Sequence, residues 1–98
     1  MYDRSYYVYI LTNRTHQTLY IGMTNSMRRR LEEHRQGVST FTEQYSVRKL
    51  VYYEIHHDVN DARQRERSLK RWLRAWKEAL ISEMNPDWVD LSEGLPFD

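Results

Sequence analysis

Two short runs limit what this chain can become. Tyr6 to Leu11 (YYVYIL) and Thr18 to Ile21 (TLYI) are rich in aromatic and β-branched residues, and only the polar stretch Thr12 to Gln17 separates them. Such side chains fit a pleated surface, and two runs joined by a short polar loop read as a hairpin, with Gly22 ending the second strand. A lone hairpin is marginal in water, so the remaining residues must cover it.

Thr24, Asn25 and Ser26 offer N-caps for a helix from about Met27 to Gln36, with Gly37 suited to the position after its end. Residues 38 to 47 read as a loop around Phe41. Lys49 to Ile55 (KLVYYEI) is a third strand. Asp58 to Asp61 caps a second helical stretch, in which Ala62, Leu69, Trp72, Leu73, Trp76, Leu80 and Ile81 keep helical spacing. That pattern is long for one globular helix, so a kink or break is expected near Arg74, and Asn85-Pro86 stops it. The tail from Asp87 is acidic and is expected to pack through Trp88 and Leu91. The order is β-β-α-β-α-α. The fold class is α/β, more closely α+β: a three-stranded, largely antiparallel sheet flanked by helices. With no internal repeat and no linker, residues 1–98 are expected to form one domain, with a core from about 6 to 91 and an acidic tail at 87–98.

A chain of 98 residues buries a modest core, and here eight tyrosines and three tryptophans supply much of it. Cysteine is absent, which excludes disulfides and thiolate metal sites and suits a reducing compartment. The first residues carry Asp3 and lack a signal-peptide pattern. No apolar run approaches the ~18 residues of a membrane span. A cytoplasmic location and no membrane partner are the expectations.

The net charge of +1 hides an asymmetry. Residues 28 to 77 hold 13 Lys or Arg against 7 Asp or Glu, whereas residues 78 to 98 hold 6 acids and no base. A basic middle is what a phosphate-binding surface would show. On charge alone, a solvated helical face is the commoner explanation.

Three sets of residues could do chemistry. Tyr9 and Tyr20 lie on neighbouring hairpin strands and could face each other across the pair; plain packing is the commoner role, and positioning a water and a phosphate oxygen is the functional one. Arg30 and His34 are four apart and share a helix face. Arg30 could neutralise a phosphorane-like transition state and His34 could carry a proton near neutrality, although RRRLEEHR would also make a good solvated helix. Glu66 could bind Mg²⁺, which often takes one or two protein carboxylates plus waters; a surface acid paired with arginines is the commoner case. The His56-His57-Asp58 cluster lacks further ligands at metal spacing and reads as a solvated strand end.

Tyr7-Val8-Tyr9 followed by Tyr20-Ile21-Gly22 resembles the two halves of the GIY-YIG signature. The likeness continues in order. Arg30 matches the helix arginine of that endonuclease superfamily, and His34 the His/Tyr position one turn later. Glu66, within Ala62 to Trp72, matches the metal-binding glutamate, and Asn85 the late asparagine. The short stand-alone bacterial branch is the most similar. Tyr7 stands where the name implies glycine, and Met23 where repair relatives carry a lysine near the phosphate.

The resemblance implies a metal-dependent endonuclease that hydrolyses phosphodiester bonds in nucleic acid, with DNA as the expected partner and repair or processing as the setting. Glu66 would bind one Mg²⁺ or Mn²⁺. Tyr20 would orient or deprotonate the attacking water; an unperturbed tyrosine titrates near ~10, so His34 is assigned a share of that role. Arg30 would stabilise developing charge, Tyr9 would hold phosphate or water, and Gly22 and Asn85 would support the site. Arg28, Arg29, Arg63 and Lys70 are the expected nucleic-acid contacts. The alternative is a non-catalytic nucleic-acid-binding module or partner-binding subunit, in which tyrosines on a sheet stack bases.

Overall fold

The computed structural model describes residues 4–36 and 46–95. Gly37 and most of the 38–47 loop lie outside them. The elements are β1 (Tyr6–Thr12), β2 (Leu19–Thr24), α1 (Met27–Arg35), β3 (Lys49–His56), α2 (Val59–Arg71), α3 (Arg74–Met84) and a short 3-10 turn at Ser92–Gly94. The order β-β-α-β-α-α and the α+β class are those expected from the sequence. All three strands are antiparallel, in the order β2-β1-β3.

The central strand β1 is buried on both faces, which is why its sequence is apolar without interruption. Tyr7, Tyr9 and Leu11 point to one side, where they meet Met27 and Leu31 of α1 together with Val47, Leu50 and Leu95. Val8 and Ile10 point to the other side, where they meet Ala62 and Leu69 of α2 and Ile81 of α3. The sheet is thus the middle layer between α1 and the pair α2–α3. Each fully buried side chain of this size contributes about 1.5–3 kcal/mol of transfer free energy.

Local chemistry fixes the joints. Asn13 Oδ1 accepts from the Gln17 and Thr18 amides and closes the hairpin loop. The Asp58 carboxylate caps α2 by accepting from the amides of Asn60 and Asp61. The long apolar pattern does break, one residue before Arg74: Trp72 and Leu73 both adopt extended backbone, at ψ 148° and 149°. Past α3, buried Asn85 donates through Nδ2 to the Val51 and Val89 carbonyls, and its Oδ1 accepts from the Val89 amide. Trp88 stands at φ 54°, a left-handed conformation costing a side-chain-bearing residue on the order of 1 kcal/mol. Its indole donates to Ser82 and its ring lies 4.9 Å from His16. Trp88 and Leu91 both pack onto the core. No helix among the described residues is long and apolar enough to cross a membrane.

Candidate active site

Four of the expected residues converge on the α1 side of the sheet. The register sets Tyr9 opposite Gly22 and Tyr20 opposite Leu11. The two tyrosines therefore do not face each other directly, as their sequence positions suggested; they are diagonal neighbours on one face, with ring centroids 6.3 Å apart. The Tyr9 ring lies over Gly22. A Cβ on that glycine would fall 2.5 Å from Tyr9 Cζ, so Gly22 is needed for space rather than for an unusual backbone angle.

Helix α1 places Arg30 and His34 above these rings. Arg30 Nε donates to Tyr9 Oη at 3.3 Å, and His34 Nε2 lies 2.9 Å from the same oxygen. The His34 ring also sits edge-on to Tyr20, with centroids 5.1 Å apart. Arg30 Nη1 bonds Glu33 at 3.0 Å, a partner one turn along the helix that sequence reasoning overlooked although its i+3 spacing is a standard signal. The Arg30 side chain is 40% exposed and presents its outer edge to solvent.

His34 is only 2% exposed, so α1 is not a wet helix on this side. Burial, reinforced by the Arg30 charge and opposed by Glu33, lowers its pKa to about 4. It is neutral at pH 7, contrary to the expectation that it would exchange a proton there. Its Nδ1 is buried with no hydrogen-bond partner among the described residues. An orphaned buried N–H is rarer than an orphaned acceptor, so the ring proton belongs on Nε2, donating to Tyr9. The Tyr9 oxygen then accepts from both Arg30 and His34, and its own proton must point away from both. Burial pushes the Tyr9 phenol well above its ordinary range, against the opposing Arg30 hydrogen bond. Raised in this way, the Tyr9 phenol keeps its proton at neutral pH. The Arg30 guanidinium is held charged first by its bond to Tyr9 and also by Glu33, against the effect of burial.

Glu66 sits on α2, the helix over the opposite face, along the stripe of Ala62 and Leu69 that turns toward the sheet. Its link to the other four is electrostatic: its charge is one of the influences holding Tyr9 neutral. The side chain is 25% exposed and pairs with Lys70 at 3.3 Å. Among the described residues no group of three His, Cys, Asp or Glu could hold an ion. A single carboxylate such as Glu66 suits a hard, largely hydrated cation.

The other expected residues are dispersed. Arg28 donates to the Leu95 carbonyl and Arg29 to Asn25. Arg63 is exposed on α2. Asn85 lies away from the tyrosines and braces α3 and the tail. His56 is not a bare solvated end: it bonds Glu54 at 2.8 Å, which also accepts from Arg65 Nε at 2.8 Å.

The family model of the GIY-YIG catalytic domain matches residues 5–79, a span that includes both tyrosines, Arg30, His34 and Glu66. The chain belongs to this nuclease family, and within it to the short stand-alone UPF0213 group. It is 36% identical over 77 residues to a UPF0213 protein of Clostridium perfringens, covering 78% of this chain and 82% of that one. A UPF0213 protein of Bacillus licheniformis is 33% identical over 98 residues, covering 99% and 100%. The solution NMR structure of a UPF0213 protein from Bacillus halodurans superimposes with a TM-score of 0.58 at 26% identity, covering 91% of this chain and 95% of that one.

Proposed function

We propose that this protein is a metal-dependent endonuclease that hydrolyses phosphodiester bonds in nucleic acid, with DNA as its substrate and repair or processing as its setting. The observation that carries the reading is the convergence of Arg30 and His34 on the phenolic oxygen of the buried Tyr9, which fixes the part-exposed Arg30 on the same side of the sheet as the part-exposed Tyr20. A buried tyrosine needs one partner for its hydroxyl; this one has a guanidinium and an imidazole.

Each residue then has a role. Tyr9, fully buried, serves by fixing Arg30 through its oxygen. His34 stays neutral and positions Tyr9; with Nε2 engaged and Nδ1 sealed off, it does not act as the base. Tyr20, partly exposed beside His34, orients or deprotonates the attacking water. Arg30 meets the charge that builds on the phosphorus oxygens, where a preorganised cation lowers the barrier. Glu66 is the residue that would hold Mg²⁺ or Mn²⁺, and its exposed Lys70 pair is of the weak surface kind that a divalent ion displaces. When bound, the metal would supply a Lewis acid for phosphodiester hydrolysis.

The test is nicking of supercoiled plasmid with Mg²⁺ or Mn²⁺ and with chelator. The wild type is expected to cut only with metal. Glu66→Ala is expected to lose cutting by ~10²-fold or more while keeping its circular dichroism spectrum. Wild-type rates in Glu66→Ala would remove the metal assignment.

A further inference from the structure

On the outer side of α2, away from the tyrosine cluster, a groove of about 450 Å³ is lined by Arg67, Ser68, Arg71, Trp72 and Trp76, with Gln64 at its end. It lies at the break between α2 and α3. Trp76 is 56% exposed and the adjoining Leu73 61% exposed. Trp76 and Leu73 together form an open apolar patch rather than a single exposed ring, and such patches mark interaction surfaces. Arg67 and Arg71, one turn apart, make no ion pair among the described residues, whereas Arg30, Arg35, Arg65 and Arg74 each do.

The ring is also held in place. Glu54 on β3 accepts from Arg65 Nε at 2.8 Å, and the Arg65 guanidinium lies 5.1 Å from the Trp72 ring centroid. Trp72 in turn meets Trp76 edge-to-face at 6.2 Å. This chain of contacts, acid to guanidinium to indole to indole, presents Trp76 to solvent in a defined orientation. Neither indole takes part in the chemistry assigned above.

We infer that this groove is a binding site for single-stranded nucleic acid, in which an unpaired base stacks on Trp76 and the flanking phosphates lie against Arg67 and Arg71. Charge complementarity selects the occupant. Two unpaired guanidiniums beside an open indole match a strand that offers a π-face and a phosphate together. In duplex DNA the π-faces are stacked away and only phosphates remain. The groove shares α2 with Glu66, so a strand held here is anchored to the helix that carries the proposed metal ligand. The inference deepens the nuclease reading by naming the form of its substrate, and it rests on that reading for the strand's purpose but not for its binding.

Binding is measured on the full chain by fluorescence anisotropy in chelator, where no metal-dependent cutting can occur, with a labelled oligo-dT strand and with a duplex of the same length. The wild type is expected to prefer the single strand. Trp76→Ala is expected to weaken that binding at least about tenfold and to leave duplex binding nearly unchanged, Trp76→Phe to restore most of it, and Arg67→Ala/Arg71→Ala to weaken both substrates. Equal affinity of wild type and Trp76→Ala for the single strand would overturn the inference. So would a change in sedimentation on Trp76→Ala with unaltered strand binding, which would assign the surface to a second copy of the chain. The two readings fail separately: Trp76-dependent binding without Glu66-dependent nicking leaves the groove and removes the nuclease, and the reverse leaves the nuclease and removes the groove.

Discussion

Protonating His34 would place a cation in a pocket sealed from water and one helical turn from the Arg30 guanidinium. The folded protein resists this, which is why the group's pKa falls to about 4 from its ordinary 6.5. The unfolded chain does not resist it. Between those two values the unfolded state binds the extra proton and the native state does not, so stability rises with pH. The contribution is complete above pH ~6.5 and is lost as pH falls toward 4, a loss on the order of 3 kcal/mol. Urea unfolding at pH 7 and at pH 4.5 measures it. His34→Gln stays neutral at both and is expected to lose much less stability than the wild type over that interval. The carboxylates titrate alike in both proteins and cancel in the comparison. Identical pH dependence of the two would mean that His34 is not sealed as described. At this scale the sequence was only partly legible. The i, i+4 spacing put Arg30 and His34 on one face, but spacing does not say whether a face is wet or buried. That depended on the Tyr9 ring beneath it, which itself lies flat only because Gly22 leaves room.

Among the elements, the joint after α3 shows how one polar side chain can fix a terminus. Asn85 uses both amide hydrogens and its oxygen on the backbone of β3 and of the segment that follows. Asn85→Ala leaves the Val51 carbonyl unpaired in a buried setting, at a cost of about 1–3 kcal/mol, and frees the part-buried Val89 groups to water. The expected outcome is a lower urea midpoint with an unchanged slope, while nicking per folded molecule stays close to wild type. A selective loss of turnover in fully folded Asn85→Ala would instead return this residue to the catalytic site. The element order was legible because each boundary carries its own chemistry: the aromatic β-branched run of β1, Asp58 at the start of α2, and Asn85-Pro86 past the end of α3. The break at Trp72–Leu73 was legible as a length argument but not to the residue. The Glu54–Arg65–Trp72 connection was not legible at all, because it joins β3 to α2 through packing that no local pattern encodes.

At the scale of the whole molecule, the near-zero net charge is a poor guide to how the protein meets a polyanion. The acidic tail lies beside α1 and leaves the outer side of α2 uncovered. Leu91 donates its amide to the Leu50 carbonyl, Asp90 accepts from the Leu50 amide and lies 3.8 Å from Arg35, and Arg28 donates to the Leu95 carbonyl. The segment holding Asp90 and Glu93 is thereby drawn to the α1 face, and the outer side of α2 keeps Arg63, Arg67 and Arg71 without acids of their own among the described residues. A surface of this kind binds by releasing the counterions condensed on phosphates, so affinity for a nucleic acid should fall steeply with salt. For a single strand each phosphate contact contributes a slope of about −0.7 in log affinity against log salt. Replacing Arg67 and Arg71 together should therefore make the slope shallower by about 1 to 1.5, whereas replacing Trp76 should lower affinity at every salt concentration and leave the slope alone. Anisotropy titrations between ~50 and ~200 mM salt separate the two effects on one plot. A wild-type affinity that does not change over that range would show that phosphates are not what the basic face meets, and both the groove and the nuclease assignment would then lose their electrostatic footing.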